Sequence, residues 1–297
     1  TDTDADADCN ALITTVTPTD LSVDVGLNQP IVVAFDQAIT DTDPHTVTVT
    51  NATGSTSLAS DGLSMTWTPT AAYDRGTSYD VTASVCDDSL STSFTTSNTV
   101  DPANIAGNTY AVPWLDTRVT INEPPNGAAL FFSPVLFPIE YVMLQVLSID
   151  PVTGAAPTAA TVGDDDGFGQ PVPDCTVVIR ETGDFSQNPL FTFTGTLQIE
   201  ITPGEFADVE DFAMEGSFSS DGSALTAVHI TGKVATEQFI DVPGPFPANC
   251  NSLVVAPFNP TCVACTISNS GQCMVVDFTA NQADLYPFVD IDTTCPP

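Results

Sequence analysis

Basic residues are almost absent from this sequence. Its 297 residues include 38 Asp and Glu but only four Lys and Arg, which gives a formal net charge of −34 at pH 7. Binding to nucleic acid or to an anionic membrane surface relies on Lys and Arg. We therefore expect neither partner. The acidity favours solubility, and divalent cations are the partners that it leaves open.

Histidine is rarer still, with only His45 and His229. A nucleophilic hydrolase needs a Ser or Cys beside a base and an acid, and the Gly-x-Ser-x-Gly motif is missing from the chain. His45 follows an Asp-Pro pair that is typical of a turn. His229 lies within a strand pattern, where its side chain points away from its two apolar neighbours. We expect both to be structural or solvent-facing, and no catalytic residue is predicted.

Carboxylates are abundant enough to keep a second function class open. A secreted hydrolase acting on carbohydrate needs only two carboxylates at a suitable separation. Its site would lie in the second domain near aromatic residues such as Trp114, Tyr110 or Tyr286. The acidic residues after the Pro-Gly pair at 203–204 are instead expected to form a solvated loop. They are Glu205, Asp208, Glu210 and Asp211.

Three adjacent aspartates form the candidate metal site. Asp164, Asp165 and Asp166 precede a glycine, and calcium prefers several carboxylate and carbonyl oxygens on a backbone that can turn. Neighbouring carboxylates repel, so this run is expected either to bind a cation or to be well exposed. Asp290 and Asp292 form a weaker candidate of the same type. Calcium is therefore the one cofactor that the sequence suggests.

Cysteine is present as an even set of eight. The residues are Cys9, Cys86, Cys175, Cys250, Cys262, Cys265, Cys273 and Cys295. A zinc site at Cys262 and Cys265 is the alternative to disulfides, but a zinc ribbon wants a second Cys-x-x-Cys pair, which is absent. The cysteines therefore predict disulfides and an oxidising compartment. The six in the second half permit about 15 pairings, among which the sequence does not choose.

Two segments bear on how the chain is placed in or near a membrane. Residues 1–10 open with alternating aspartates and are expected to be a flexible acidic leader that suits a protein standing off a surface. No signal peptide opens the chain, so we expect the mature form. Residues 128–149 are the only transmembrane candidate. Two prolines, a Glu and a Gln interrupt this apolar run, which instead predicts two buried β segments around a turn.

Short runs rich in Val, Ile and Thr fill residues 11–97, with turn residues between them at the spacing of a β-sandwich. Five motifs in this region resemble the SbsA-type bacterial Ig-like domain. They are Thr17–Gly26, Gln29–Asp36, Leu63–Pro69, Gly76–Val81 and Ser93–Thr96. The resemblance implies a sandwich used as a spacer or presentation module on bacterial surface proteins, and it carries over no catalytic residue. Cys9 and Cys86 lie outside the motifs and are expected to pin the entering chain to the strand that starts at Tyr79.

Residues 98–108 read as a polar linker, and residues 109–297 are again rich in strand patterns. Leu197, Ile199 and Ile201 alternate with polar residues, and the Asp-Gly pair at 221–222 predicts a hairpin turn. We expect a larger disulfide-bonded β-sandwich or β-barrel of eight to ten strands. This half is similar in character to bacterial outer-surface lipoproteins, without a motif that transfers residues.

The sequence thus predicts an all-β, non-enzymatic protein, secreted or on the outer cell surface and possessing no membrane-spanning segment. Adhesion, surface assembly or ligand binding is the leading function. A subunit of an extracellular filament or surface layer is the first alternative, in which exposed strand edges pair with the next copy. Its expected partners are other copies of itself, other surface proteins, or divalent cations.

Overall fold

The structure is a computed structural model that describes residues 9–113, 119–123, 140–176, 178–202, 205–235, 250, 260–266 and 272–295. The chain divides into two units, Thr1–Thr99 and Val100–Pro297. Both consist almost entirely of β-strands, which confirms the predicted all-β class. The residues 1–8 of the leader, Trp114 and residues 128–139 of the apolar run lie outside the described residues.

The first unit is a sandwich of two four-stranded sheets. The first sheet contains β1 (Ile13–Thr17), β3 (Ile31–Phe35), β5 (Gly54–Leu58) and β6 (Ser64–Pro69). The second contains β2 (Ser22–Val25), β4 (His45–Val49), β7 (Ser78–Val85) and β8 (Asp88–Thr96). The strands are ordered β1-β3-β6-β5 and β2-β8-β7-β4.

Alternation along the strands builds the core of this unit. Ile31 and Val33 are both fully buried, and Ile31 lies beside the buried Trp67 of the neighbouring strand. From the other sheet, the rings of Tyr79 and Phe94 stack with centroids 5.6 Å apart. Because successive side chains of a strand point to opposite faces, one apolar residue in two is sufficient to fill the space between the sheets.

The second unit contains eleven described strands. They are β9 (Thr109–Pro113), β10 (Val119–Glu123), β11 (Tyr141–Val146), β12 (Ala155–Asp165), β13 (Pro171–Pro173), β14 (Ile179–Asp184), β15 (Leu190–Thr202), β16 (Glu205–Phe218), β17 (Ala224–Ala235), β18 (Cys262–Val263) and β19 (Cys273–Leu285). A 3-10 helix at Pro102–Asn104 precedes them, and a one-turn helix, α1 (Ile291–Thr294), follows.

Eight of these strands close into an antiparallel barrel. Their order is β9-β11-β12-β14-β15-β16-β17-β19, so each strand pairs with the next barrel strand along the chain. The ring closes where Tyr110 pairs with Leu285 and Ala111 with Asp284. Three short strands lie at the margins, with β13 on β12 and both β10 and β18 on β19. Of the two predicted architectures, the structure has the barrel.

Aromatic side chains fill the barrel interior. Phe218 is fully buried, and its ring centroid lies 5.0 Å from that of Tyr110 and 5.7 Å from those of Phe185 and Phe191. Phe193 is buried beside this group. An eight-stranded barrel is just wide enough for its own side chains to fill it, and residues of this size occupy the centre.

The segment before β9 closes one end of the barrel. Val100 and Ile105 are buried in the barrel core. The side-chain oxygen of Asn188 accepts the Val100 N–H at 2.9 Å, and Gly107 donates its N–H to the Val146 carbonyl at 2.7 Å. The sequence assigned residues 98–108 to a linker because they are mostly polar. Residues from Val100 onwards belong instead to the second unit, since two apolar side chains anchor them.

The C-terminal strap, residues 286–295, crosses the outer face of the barrel. Ile291 of the strap is fully buried against a small apolar cluster on that face, which includes Ala111, Met143 and Ala159. A disulfide from Cys295 to Cys175 fastens its end. The strap therefore gives the outer face of β9, β11 and β12 a second, smaller core.

All eight cysteines form disulfides, as predicted. The pairs are Cys9–Cys86, Cys175–Cys295, Cys250–Cys262 and Cys265–Cys273. The first is the pair expected from the sequence. Cys262 and Cys265 have different partners, so the structure rules out their Cys-x-x-Cys spacing as a zinc ligand pair.

Two other expectations are settled by the strand boundaries. Glu205, Asp208, Glu210 and Asp211 do not form a loop, because they belong to β16. In the apolar run, Tyr141–Val146 is the strand β11, and all six of its residues are buried. In the parts of the chain that the structure describes, no helix has the length and apolar character that crossing a membrane requires.

The packed interior predicts how two Phe-to-Ala changes will differ. Phe218→Ala should reduce the free energy of unfolding by about 3–5 kcal/mol, because it leaves a cavity among aromatic rings. Phe168→Ala is the matched control, since that side chain is 90% exposed, and it should change the value by at most about 0.5 kcal/mol. Guanidinium unfolding of the full chain with disulfides intact measures both, and equal losses would contradict the filled barrel.

Candidate functional site

The end of β12 and the loop that follows it contain the three aspartates of the predicted calcium site, with Asp164 and Asp165 in the strand and Asp166 in the loop. Asp165 accepts the backbone N–H groups of Gly167 at 2.6 Å and Gly169 at 3.0 Å through one carboxylate oxygen. Asp166 likewise accepts two N–H groups of the loop, at 2.7 and 3.1 Å. The pKa of Asp165 lies below its usual value, chiefly because of the N–H of Gly169. These carboxylates hold the turn itself.

The third aspartate has a different environment. Partial burial raises the pKa of Asp164, and the carboxylates of Glu140 and Asp174 raise it further. Across the described ranges, a group of three metal-ligating residues within mutual reach occurs only at Glu210, Cys265 and Cys273. The structure thus does not bring the carboxylates of the three aspartates together at one point. Calcium binding there stays a prediction.

Glu210 is a buried carboxylate beside a disulfide. It is fully inaccessible to solvent and accepts the Thr266 N–H at 2.5 Å. Its carboxylate oxygen lies within 4.8 Å of the sulfurs of Cys265 and Cys273, which are bonded to each other. Thiolates bind metals and disulfide sulfurs are poor ligands. The arrangement is therefore a structural contact and not a metal site.

The outer face of the barrel carries an imidazole between two carboxylates, which we call the His229 cluster. It consists of Glu215 on β16, His229 on β17, Asp277 on β19 and Asn122 on β10. His229 Nδ1 lies 3.3 Å from Glu215 Oε1, and Nε2 lies 2.9 Å from Asp277 Oδ1. The Asn122 amide donates to the same Asp277 oxygen at 2.8 Å. Four strands meet at this point.

Electrostatics in the His229 cluster favour a charged imidazole. Hydrogen bonds to Asp277 and then to Glu215 raise the pKa of His229 to about 9, although burial opposes the change. The pKa of Glu215 is lowered first by the hydrogen bond from His229. Burial would raise the pKa of Asp277, but hydrogen bonds from His229 and Asn122 lower it overall.

The His229 cluster does not have the geometry of a general base. Both ring nitrogens of His229 contact carboxylates, so neither is open to accept a proton from a hydroxyl or a water. A pKa of about 9 also keeps the ring protonated at neutral pH. The cluster instead ties the outer face of the barrel together across β10, β16, β17 and β19.

The remaining candidates have structural surroundings. His45 is the first residue of β4 and not part of a turn, and its Nδ1 lies 2.8 Å from the Asp43 carbonyl. Tyr110 is buried in the barrel, where its hydroxyl donates to the Gly222 carbonyl at 2.8 Å. Tyr286 packs on the outer face, with its ring centroid 6.2 Å from that of Tyr141. Of the three aromatic residues of the hydrolase hypothesis, Trp114 lies outside the described residues, and the other two are on opposite sides of the barrel wall.

Asp290 and Asp292 act within the strap. Asp290 caps α1 by accepting the Thr293 N–H at 3.1 Å, and it accepts the Gln145 amide at 3.0 Å. Asp292 lies 3.4 Å from Nε of Arg180. These contacts assign both carboxylates to holding the strap on the barrel.

Sequence reasoning did not find the His229 cluster, although it placed the side chain of His229 on the outside. Glu215 is fourteen positions away along the chain and Asp277 forty-eight. Only the register connects them, since Glu215 lies opposite His229 on β16 and β17. The alternation of both strands is readable in the sequence, and their register is not.

The raised pKa predicts a pH-dependent contribution to stability. His229 binds its proton more tightly in the folded state, so its stabilisation is complete below pH 6.5 and is lost as the pH rises towards 9. An NMR titration should place the imidazole midpoint near pH 9. Asp277→Asn should lower that midpoint more than Glu215→Gln, because the Asp277 contact is the shorter one. A midpoint near 6.5 in the unaltered chain would contradict the cluster.

Calcium at the aspartate loop is also open to a direct test. Although Asp165 and Asp166 already accept loop N–H groups, the calcium prediction requires a higher melting temperature in calcium than in chelator. A ligand that binds only the folded state would raise it. An increase with calcium that disappears in Asp165→Asn would confirm the site, and an unchanged melting temperature would contradict it.

Comparison with solved structures gives distant likenesses. L,D-transpeptidase 1 from Mycobacterium tuberculosis is 11% identical, with a TM-score of 0.25, over 53% of this chain and 84% of the other. The L,D-transpeptidase from Mycobacterium smegmatis is 15% identical, with a TM-score of 0.22, over 58% and 80%. Domains 5–6 of the S-layer protein SbsC are 14% identical, with a TM-score of 0.25, over 75% and 91%. Scores this low transfer neither fold nor function.

Comparison with sequences is informative for the first unit. Curated protein sequences give no match to the chain. The model of the bacterial Ig-like domain family matches residues 10–96. The match does not distinguish the SbsA type, which stays a prediction, as does the likeness of the second half to surface lipoproteins. Together with the two-sheet sandwich, the match identifies the first unit as a bacterial Ig-like domain.

Proposed function

We propose that the protein is a non-enzymatic extracellular or cell-surface protein, in which the Ig-like unit is a spacer and the barrel presents its outer surface to partners in adhesion or surface assembly. The filled barrel carries this proposal. Tyr110, Phe191, Phe193 and Phe218 occupy the interior, where barrels that bind small ligands have a cavity. The outer surface is thus the part of the barrel that is available for recognition.

An extracellular location is supported by the cysteines. Four disulfides join all eight of them, and such bonds persist in oxidising compartments. A bacterial Ig-like domain fits the same location. The net charge of −34 keeps an exposed protein soluble and restricts its partners to surfaces that do not repel it.

A non-enzymatic role is supported by the state of the titratable groups. The His229 ring has a carboxylate on each nitrogen, and Asp165, Asp166 and Asp290 accept backbone N–H groups. A carboxylate pair that hydrolyses carbohydrate must instead face a sugar ring. A secreted hydrolase is the alternative function, with its carboxylates elsewhere in the second unit.

Location and activity can be measured with the full-length chain. Antibodies against the barrel should label intact cells that produce the protein, and external protease should remove the label. An antibody against a cytoplasmic protein is the control and should label only permeabilised cells. The purified chain should release no reducing ends from a panel of soluble polysaccharides.

Two results would overturn the proposal. The first is barrel labelling that requires permeabilisation, which would place the chain inside the cell. The second is release of reducing ends that is lost in a single Asp→Asn or Glu→Gln variant, since such a loss would identify a catalytic carboxylate and establish the hydrolase.

A further inference from the structure

Strand β5 has an open edge. Among the described strands it pairs only with β6, and it lies at the end of its sheet. Hydrogen bonds from Thr70 N to the Thr53 carbonyl and from Ala59 N to the Ser64 carbonyl fix which residues of β5 bond to β6. In an antiparallel pair, every second residue of a strand bonds to the neighbouring strand. Residues 53 and 59 bond to β6, so residues 54, 56 and 58 point their backbone N–H and C=O groups away from β6.

These three residues offer six backbone groups, since each has one N–H and one C=O. Within the described parts of the chain, no hydrogen bond to these outward groups of Gly54, Thr56 or Leu58 is found. The first four residues of β5 are exposed and Leu58 is half-buried. The edge therefore has the backbone geometry to accept another strand.

The β5 edge lacks the features that protect sheet edges. Proteins block such edges with charges, prolines and bulges. No charged residue or proline occurs from Thr46 to Ser60, and the register of β5 with β6 is uninterrupted. In a chain with 38 acidic residues, this edge has no carboxylate of its own.

The other edges of the sandwich are each irregular or partly bonded. β1 has a register shift between Ile13 and Thr15. β2 contains Asp24, which has a left-handed φ of 53°. β4 pairs regularly with β7, but it begins directly after Asp43 and a proline, and the outward carbonyl of Val49 already accepts the Ala52 N–H at 3.3 Å. Among the four edges, β5 is thus the one that is regular in its pairing and whose outward backbone groups have no hydrogen bond within the described parts of the chain.

We propose that β5 is a self-association edge, at which two copies of the chain pair antiparallel about a two-fold axis through Thr56. Thr56 then exchanges two backbone hydrogen bonds with its symmetry mate. Gly54 exchanges two with Leu58 of the second copy, and Leu58 exchanges two with Gly54 of the second copy. All six outward groups are satisfied, and the two four-stranded sheets become one continuous sheet.

Charge and shape select a second copy as the occupant. Two chains of charge −34 repel wherever carboxylates meet, so a contact between them needs an uncharged surface such as this edge. The pairing also sets the largest side chain of β5 against its smallest, because Leu58 lies opposite Gly54. A Cβ at Gly54 would lie 2.4 Å from the Trp67 ring, so only glycine fits at the position opposite Leu58 of the second copy.

The association should be weak, reversible and stronger in salt. One edge is a small interface, and small interfaces are transient. Raising sodium chloride from about 0.05 M to about 0.5 M shortens the Debye length and so reduces repulsion between the copies. Sedimentation of the full chain over a concentration series should show a monomer–dimer equilibrium that shifts towards dimer at high salt, whereas an interface of ion pairs would weaken.

Two variants test the edge directly. Thr56→Pro removes an N–H that points away from β6, and proline is tolerated on the open side of an edge strand. It should weaken association at least tenfold while circular dichroism and melting temperature are retained. Ser57→Asp should weaken association by adding a carboxylate at the edge, and Ser91→Asp is its matched control, since it adds the same charge on an exposed position of the inner strand β8.

A single new cysteine tests the register. Residues of a hydrogen-bonded pair have Cα atoms about 5.5 Å apart, which is within the range of a disulfide. All native cysteines are already paired. Thr56→Cys should therefore form a covalent dimer under mild oxidation, and Ser91→Cys should not.

The inference deepens the proposed function, on which it rests, and it can fail separately. A chain that stays monomeric at all concentrations and salt conditions would overturn the edge contact but not the surface location. Association that is unchanged in both Thr56→Pro and Ser57→Asp would overturn it as well, because another surface would then join the copies. Labelling inside the cell or hydrolytic activity would overturn the proposed function whatever the oligomeric state.

Discussion

Hydrogen bonds from backbone N–H groups to carboxylates are the interaction on which this structure depends. With four Lys and Arg for 38 acidic residues, ion pairs can satisfy only a few carboxylates. Asp150, Asp184 and Asp221 each accept an N–H from a residue two positions later, at 2.7–2.9 Å. Asp20 and Asp88 accept N–H groups more than seventy positions away. The acidic side chains thus fix turns and join distant segments of the chain. In other proteins, basic side chains share this role.

The basic side chains of the barrel that the structure describes each lie beside one or two carboxylates. His229 separates Glu215 from Asp277, and Lys233 contacts Asp211 at 2.5 Å beside the bulge of β16. Arg180 serves the strap, where it contacts Asp292. Because each of these three described cations has a carboxylate partner, they offer a ligand little positive charge. This is a second reason to expect recognition through uncharged surface.

The sequence was most informative where side-chain alternation decides the structure. The strict pattern around Ile31 and Trp67 predicts the Ig-like sandwich, and the Asp-Gly turn before β17 was identified correctly. Alternation fails at β16, where Asp211 adopts a left-handed φ of 50° and interrupts the register. Charged residues beside that bulge resemble a loop. Barrel closure was also beyond sequence reasoning, since two residue pairs between β9 and β19 produce it.

The disulfides also decide how the chain would respond to mechanical force. A pull on the two ends passes through the Cys9–Cys86 and Cys175–Cys295 bonds, so the residues enclosed by each bond cannot be drawn out. Between the two bonds, only residues 87–174 are free to extend. At about 3.5 Å per residue, they allow an extended length of roughly 300 Å. An unbridged chain of 297 residues would reach roughly 1,000 Å at the same length per residue. Under tension, the extension of the protein between the two disulfides would therefore end once residues 87–174 are drawn out.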